Sequence, residues 1–221
     1  MRRAVIIVAG GRGLRMGSDL PKQFLPLHGK PLLMHTLEVF YRWDGNARLT
    51  LALPDMHRSY WEMLCRELNW RVPHWIVAGG ETRFHSVRNA LETVEDCDWV
   101  GVHDGVRPLV APEVIEACFR GAAQHGAALP AVPVAESLRE CDGERNRAVD
   151  RTRYRLVQTP QVFRRDWLEE AYRQPYSPLF TDDASVVEAL GRNIHLVSGN
   201  PENIKITTPA DLLVAEKWMA H

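Results

Sequence analysis

The chain has 221 residues, of which 27 are Lys or Arg and 28 are Asp or Glu, giving a formal net charge of −1. This balance lacks the basic excess typical of general nucleic-acid binding, and no apolar run approaches the roughly 20 residues that span a bilayer. The four cysteines form no Cys-x-x-Cys pair and the nine histidines show no metal-ligand spacing. We therefore expect reduced thiols in a cytoplasmic protein without a zinc site.

Short apolar runs alternate with amphipathic segments, which predicts an α/β, Rossmann-like fold with a mostly parallel sheet and flanking helices. The predicted strands are 4–8, 49–53, 75–77, 99–103, 128–132 and 194–197. Apolar side chains recur at helical spacing over 61–68, 87–94 and 115–122, and a last helix is expected over 209–219. The length suits a single domain over residues 1–221.

Residues 134–158 interrupt this alternation with a polar stretch. Segments 137–140 and 148–151 flank the turn-like residues 141–144, which predicts a β-hairpin arm projecting from the main domain. Because an isolated hairpin is only marginally stable in water, we expect the arm to pack on a second subunit.

A Gly- and Arg-rich loop, residues 8–22, directly follows the first predicted strand. Glycines let backbone N–H groups approach oxyanions, and Arg12, Arg15 and Lys22 add positive charge, so the loop predicts a polyphosphate cradle. The loop is not a Walker A motif, because Gln23 stands where that motif requires Ser or Thr. Met16 occupies the third glycine position of a dinucleotide fingerprint, which makes that alternative poor as well.

Two further clusters follow predicted strands. Asp104 lies at the carboxyl end of one of these strands, which is where open α/β sheets bind ligands. A carboxylate beside phosphates suits Mg²⁺. The alternative is an Asp that only caps a helix. Arg107 could then bind a second phosphate. In the other cluster, Gly80 permits close backbone approach to a base and Ser86 could hydrogen-bond the base edge, or serve only as a serine in the first turn of a helix.

Two clusters near the carboxyl terminus add candidate anion sites. Thr181 is predicted to cap a helix, whose N-terminus would attract an anion. Lys205 lies in a β-like run, 203–207, where it is either an edge lysine or an electrostatic clamp on a phosphate.

Taken in order, these segments resemble the 2-C-methyl-D-erythritol 4-phosphate cytidylyltransferase family of nucleotidyltransferases over nearly the whole chain. The matching pieces are 9–16 with Pro21-Lys22-Gln23, then 79–87, 103–108, 149–151, 158–161, 181–185 and 203–207. The resemblance implies CMP transfer from CTP to 2-C-methyl-D-erythritol 4-phosphate with release of pyrophosphate. It also implies Mg²⁺ and a homodimer with exchanged arms, without nucleic-acid or membrane partners.

The resemblance also implies roles for individual positions. Arg15 and Lys22 correspond to the catalytic groups, and Asp104 corresponds to the metal ligand. The acceptor would be positioned by Arg151, Lys205, Thr181, Arg107 and Ser137. The CTP site would comprise Ala9, Gly10, Gly11, Gly13, Gly80, Glu81 and Ser86.

Three alternatives stay open at this point. Cytidylyltransferases for ribitol 5-phosphate or another polyol phosphate share the Ala-Gly-Gly of the loop, although 149–151 and 181–185 are closer to the methylerythritol enzymes. A nucleotidyltransferase for a sugar 1-phosphate or a cofactor, using another nucleoside triphosphate, is the second alternative. The third is a nucleotide-binding regulatory module without catalysis. The Arg15–Lys22 pair and Asp104 argue against it.

Overall fold

Strands and helices alternate along the chain in the computed structural model, which describes residues 2–10 and 20–219. The strands are β1 (Arg3–Val8), β2 (Pro26–Leu27), β3 (Lys30–Pro31), β4 (Arg48–Leu53), β5 (Trp75–Ala78), β6 (Trp99–Asp104), β7 (Ala127–Pro133), β8 (Leu138–Asp142), β9 (Arg145–Val149), β10 (Arg155–Val157), β11 (Gln161–Arg164) and β12 (His195–Ser198). The helices are α1 (Leu32–Trp43), α2 (Asp55–Glu67), α3 (Arg83–Leu91), α4 (Pro112–His125), α5 (Arg165–Tyr172), α6 (Asp183–Glu188) and α7 (Pro209–Met219). Single 3₁₀ turns lie at Lys22–Phe24 and Arg151–Arg153.

The predicted strands and helices are present, except for the β-like run at 203–207, which forms no strand. The six predicted strands correspond to β1, β4, β5, β6, β7 and β12, and the helical spacings correspond to α2, α3, α4 and α7, with Leu68 and Val94 just past the ends of α2 and α3. Pro112 is the first residue of α4, where its missing N–H breaks no helical hydrogen bond. The sequence pattern did not predict α1, α5, β10, β11 or the β2–β3 hairpin. None of the helices in the described ranges is long and apolar enough to cross a bilayer.

The central sheet is mostly parallel, as predicted. Its order is β10-β7-β11-β6-β1-β4-β5, with β12 also paired to β7. Strand β11 runs antiparallel to both β6 and β7, and β10 runs antiparallel to β7. Val8 at the end of β1 pairs with Ala52 of β4 and Asp104 of β6. The carboxyl ends of these three parallel strands therefore share one edge of the sheet, the edge where such sheets bind ligands.

Both faces of the sheet are buried because helices cover each side. Alternate residues of β1 point to opposite faces: Val5 and Ile7 join a core with side chains of α1 and α4, whereas Ala4 and Ile6 join a core with side chains of α3 and α5. This two-sided burial explains why β1 is a continuous apolar run instead of an alternating pattern.

The predicted hairpin is present as a separate two-stranded sheet. Strands β8 and β9 pair from Leu138 with Val149 to Asp142 with Arg145, around a turn at Gly143 whose φ is +57°. Most side chains of these two strands are exposed. Residues 155–157 at the far end of the predicted arm form β10 in the main sheet.

Candidate active site

A cavity of about 210 Å³ opens at the carboxyl edge of the sheet. Five regions distant in the sequence form its walls: the end of β1, the 3₁₀ turn Lys22–Phe24, the start of α3 with the turn before it, the end of β6, and the segment around Lys205. The residues that line it are Val8, Ala9, Gly10, Lys22, Gln23, Gly80, Glu81, Thr82, Arg83, Ser86, Asp104, Val106 and Lys205.

Asp104 lies at the centre of a charged cluster on the cavity wall. It is 8% exposed, and Lys205 Nζ and Arg107 Nε lie 3.0 and 3.3 Å from its Oδ2. Arg83 Nε lies 3.4 Å from its Oδ1. Burial alone would raise the pKa of Asp104, but the nearby cations outweigh burial and hold this pKa well below its ordinary value. Asp104 is therefore ionised at any physiological pH.

Arg83 is fixed by a buried carboxylate behind the cavity. Its Nη1 and Nη2 donate to Asp183 at 2.8 and 2.7 Å, and the Tyr172 hydroxyl donates to Asp183 at 2.6 Å. Asp183 is fully buried, so the bidentate pair leaves the Nε edge of Arg83 directed at Asp104. Three cations in this cluster face two carboxylates, which leaves one formal positive charge on the cavity wall.

A neutral network holds the backbone of Asp104 from the opposite side. His103 Nε2 lies 3.1 Å from the carbonyl of Arg107, which can only accept, so Nε2 carries the proton. The Thr159 hydroxyl then donates to His103 Nδ1 at 2.9 Å and accepts from the Asp104 N–H at 3.1 Å. Burial lowers the pKa of His103 to about 3. The imidazole is therefore neutral and serves to position Asp104 and Arg107.

Asn203 anchors the segment that carries Lys205. Its side chain is fully buried and donates to the Thr159 carbonyl at 2.9 Å. Its own carbonyl accepts from Arg107 Nη1 at 2.7 Å. These bonds hold the segment without strand pairing. The β-like run predicted at 203–207 is therefore wrong. The segment forms no strand, and its backbone bonds the Arg107 side chain at Asn203, the Val106 carbonyl at Ile206 and the Asp211 carboxylate at Thr207.

The turn before α3 forms a second wall of the cavity. Ser86 Oγ accepts from the Gly80 N–H at 3.0 Å and donates to the Thr82 carbonyl at 2.9 Å. A Cβ atom on Gly80 would overlap His85, so this close approach requires glycine. Ser86 thus shapes the turn itself, and its hydroxyl proton is already used by Thr82.

The cavity offers a divalent cation few protein ligands. In the described part of the chain, no group of three or more His, Cys, Asp or Glu side chains is arranged to hold a metal ion. Asp104 and Glu81 are the carboxylates among the lining residues. One or two carboxylates fit Mg²⁺ when phosphate oxygens and water complete the shell, so these residues suit a cation that arrives with a polyphosphate.

The sequence profile of the 2-C-methyl-D-erythritol 4-phosphate cytidylyltransferase family matches residues 3–221. The chain belongs to this family. The cytidylyltransferase of Bacteroides thetaiotaomicron is 56% identical over 214 residues, covering 97% of this chain and 98% of that protein. The cytidylyltransferase of Porphyromonas gingivalis is 56% identical over 216 residues, covering 97% and 96% of the two chains.

Solved cytidylyltransferase structures share the fold. The enzyme of Thermus thermophilus is 34% identical with a TM-score of 0.79, and each chain is covered completely. The enzyme of Francisella tularensis is 33% identical with a TM-score of 0.81 and 99% coverage of both chains. The family assigned from the sequence motifs is thus confirmed.

Eight of the predicted cytidylyltransferase site residues line the cavity, and Arg107 contacts one of them, Asp104. The eight are Ala9, Gly10, Lys22, Gly80, Glu81, Ser86, Asp104 and Lys205. Gly11, Gly13 and Arg15 lie outside the described residues. The sequence pattern indicated no role for Arg83, Asp183, His103, Thr159 or Asn203, because their contacts join segments far apart in the chain.

Within a single subunit, three of the residues predicted to position the acceptor do not line this cavity. They are Arg151, Ser137 and Thr181. Arg151 Nη1 donates to the Ala135 carbonyl at the base of the hairpin, close in sequence to the exposed Ser137. Thr181 is exposed and does not cap α6. The cap is Asp182, whose carboxylate accepts from the Ser185 N–H at 2.9 Å, and the predicted Thr181 cap is therefore wrong by one residue.

Proposed function

We propose that this protein transfers CMP from CTP to 2-C-methyl-D-erythritol 4-phosphate, with release of pyrophosphate. The observation that carries the proposal is the cavity at the carboxyl edge of the sheet. A glycine-lined wall suits a nucleoside, and Lys22, Arg83, Arg107 and Lys205 bring positive charge to or beside the same space. Two polyanionic substrates require this combination.

The reaction needs no general base from the protein. A phosphate monoester has a second pKa near 6 and is mostly dianionic at pH 7, so its oxygen is already a nucleophile. That oxygen attacks the α-phosphorus of CTP in line, a new P–O bond forms, and the bond to the β-phosphate oxygen breaks as pyrophosphate leaves. His103 is neutral but fully enclosed by Thr159 and Arg107, which suits positioning and not proton transfer.

The protein contributes charge neutralisation and orientation. Lys22 lies at the carboxyl end of the glycine loop and faces the cavity, where it would offset charge on the α-phosphate and the leaving group; Arg15 of the same loop would assist. Lys205 and Arg107 would hold the acceptor phosphate. Preorganised cations of this kind need little rearrangement as charge develops in the transition state.

Asp104 would hold Mg²⁺ together with phosphate oxygens, and Glu81, which lines the same cavity, is the other carboxylate available to the ion. When bound, the ion would screen the triphosphate charge and favour departure of pyrophosphate.

The active assembly is proposed to be a homodimer in the cytoplasm. The β8–β9 hairpin projects from the domain, and its base carries Arg151 and Ser137. In a dimer with exchanged arms, the partner subunit's Arg151 would complete the acceptor site. All four cysteines are free thiols, which is typical of a reducing compartment.

The decisive experiment measures pyrophosphate release from CTP with Mg²⁺ and 2-C-methyl-D-erythritol 4-phosphate, with ribitol 5-phosphate as a parallel acceptor. Rapid turnover confined to the methylerythritol substrate supports the proposal. Turnover with ribitol 5-phosphate alone would assign the polyol alternative, and CTP binding without turnover would indicate a regulatory module.

A further inference from the structure

We propose that Gln23 is a positioning residue that sets the location of Lys22 by tying together the two ends of the glycine loop. The inference rests on the proposed function, because Lys22 matters only if the cavity performs CMP transfer. Gln23 directly follows Lys22 in the 3₁₀ turn Lys22–Phe24, and its side chain reaches back to the start of the loop.

The tie is a hydrogen bond across the mouth of the loop. Gln23 is 1% exposed, and its Nε2 donates to the carbonyl of Ala9 at 3.0 Å. Ala9 is itself fixed to the sheet, because its N–H donates to the Ala52 carbonyl at 3.0 Å. The amide of Gln23 therefore joins the residue that follows Lys22 to the edge of the sheet where the loop begins.

Aromatic packing fixes the other side of the same turn. Phe24 is 2% exposed, and its ring centroid lies 5.1 Å from that of Tyr60 and 5.7 Å from that of His57, both on α2. Apolar packing holds the turn in place but is non-directional. The Gln23–Ala9 hydrogen bond supplies a defined distance and direction, and so it sets the spacing between Lys22 and the cavity wall.

The orientation of this amide is unfavourable for stability alone. Because a carbonyl only accepts, the NH₂ group must face Ala9, and Gln23 Oε1 is left buried without a partner in the described part of the chain. A buried unpaired acceptor lowers stability, whereas an apolar side chain of the same length would not. An amide at this position is explained by the geometry that it imposes on the turn.

The test is a double-mutant cycle between Gln23→Met and Lys22→Ala in the CMP-transfer assay. Methionine keeps the length and volume of glutamine but cannot donate to Ala9. Because small displacements of a catalytic group reduce turnover strongly, we expect Gln23→Met to lower kcat by about 10- to 100-fold while KM for CTP changes little. In the Lys22→Ala background the same substitution should change kcat by less than about 2-fold, since a residue that acts through Lys22 has nothing left to position.

A matched control separates this effect from the general loss of a glutamine amide. Gln174 also donates through Nε2 to carbonyl oxygens, those of Ala171 and Val186, and it does not line the cavity. Gln174→Met should retain wild-type kcat. If Gln23→Met does not fold, Gln23→Asn keeps an amide that is too short to reach Ala9 and should give the same pattern.

Two results would overturn this inference and leave the proposed function intact. One is a Gln23 variant with wild-type kcat, and the other is a Gln23 substitution that lowers kcat equally in the wild-type and Lys22→Ala backgrounds. A Lys22→Ala enzyme with wild-type kcat would remove the proposed role of Lys22 and this inference with it. That outcome is distinguishable because it is seen before any Gln23 variant is made.

Discussion

Lys205 and Asp104 form an ion pair across the cavity, with 3.0 Å between Nζ and Oδ2. The Asp104 carboxylate is thus paired with the same cation that is proposed to bind the acceptor phosphate. The acceptor must compete with Asp104 for Lys205, and any cation at Asp104 must compete with Lys205.

Loss of Lys205 should impair the use of the acceptor substrate more than the use of CTP. We expect Lys205→Met to lower kcat/KM for 2-C-methyl-D-erythritol 4-phosphate by about 10- to 100-fold, the range for losing one or two charge-assisted hydrogen bonds. KM for CTP should change much less. Steady-state kinetics with each substrate varied in turn measure the difference, and Lys217→Met on the exposed face of α7 is the control. Equal losses for both substrates would contradict an acceptor-specific role.

Removal of the Asp104 carboxylate should weaken divalent-cation binding in the presence of nucleotide. Mn²⁺ binding can be followed by electron paramagnetic resonance with a CTP analogue whose α,β-bridge cannot be cleaved. Because one carboxylate ligand is lost, we expect Asp104→Asn to reduce Mn²⁺ affinity by about tenfold or more. Asp166→Asn, at an exposed carboxylate that does not line the cavity, should bind Mn²⁺ like the wild type. Unchanged affinity in Asp104→Asn would mean that the phosphates alone hold the cation.

The Arg83–Asp183 pair should be required for stability as well as activity. Asp183→Asn leaves the guanidinium of Arg83 without its bidentate partner, and breaking a buried pair typically lowers the free energy of unfolding by about 3–5 kcal/mol. Tyr172→Phe removes only the 2.6 Å hydrogen bond to Asp183 and should lower it by about 1.5–3 kcal/mol. Urea unfolding measures both, with the exposed Tyr41→Phe as the control. An Asp183→Asn protein as stable as the wild type would contradict this account.

The charged and neutral networks show where sequence information ends. Asp104 could be placed at a strand end from the local pattern, and Lys22 and Lys205 from motifs that span a few residues. The pairing of Arg83 with Asp183 joins positions 100 residues apart, and only the tertiary fold, in which α5 packs against both α3 and α6, brings them together. Strand β11 was not predicted from the sequence. It has only four residues, which bear no turn signal, and it pairs antiparallel with β6 and β7 in a sheet whose sequence pattern indicates parallel strands. Thr181 and Asp182 are both good cap residues, so composition could not decide between them.

Acid should destabilise the protein through His103. The pKa of this buried imidazole is lowered to about 3 in the folded state, against about 6.5 in the unfolded chain. The unfolded state therefore binds more protons between these values. The contribution of His103 to the free energy of unfolding is fully present above pH 6.5 and is lost as the pH falls toward 3. At pH 5 the loss is about 2 kcal/mol. His35 and His74 act in the same direction, because burial lowers the pKa of each.

The measurement is the free energy of unfolding in urea at pH 7.5 and pH 5.0. We expect His103→Asn to be less stable than the wild type at both values but to lose less stability between them, because one titrating group is gone. Met56→Leu, at an exposed side chain that carries no titrating group, should retain the full wild-type difference. A wild-type protein equally stable at both pH values would show that His103 does not remain neutral in the fold.

Sharing of sites between subunits predicts complementation. If each site combines Lys22 of one subunit with the partner's Arg151, Lys22→Ala and Arg151→Ala chains are each inactive alone. Random pairing after mixing and re-equilibration should restore about a quarter of the wild-type sites, because a heterodimer contains one site with both residues intact. The control mixes Lys22→Ala with Lys205→Met, two residues of the same cavity, for which no pairing restores a complete site. Recovery in the first mixture and not in the second supports exchanged arms. Equal activity in both mixtures would mean that each chain forms its site alone.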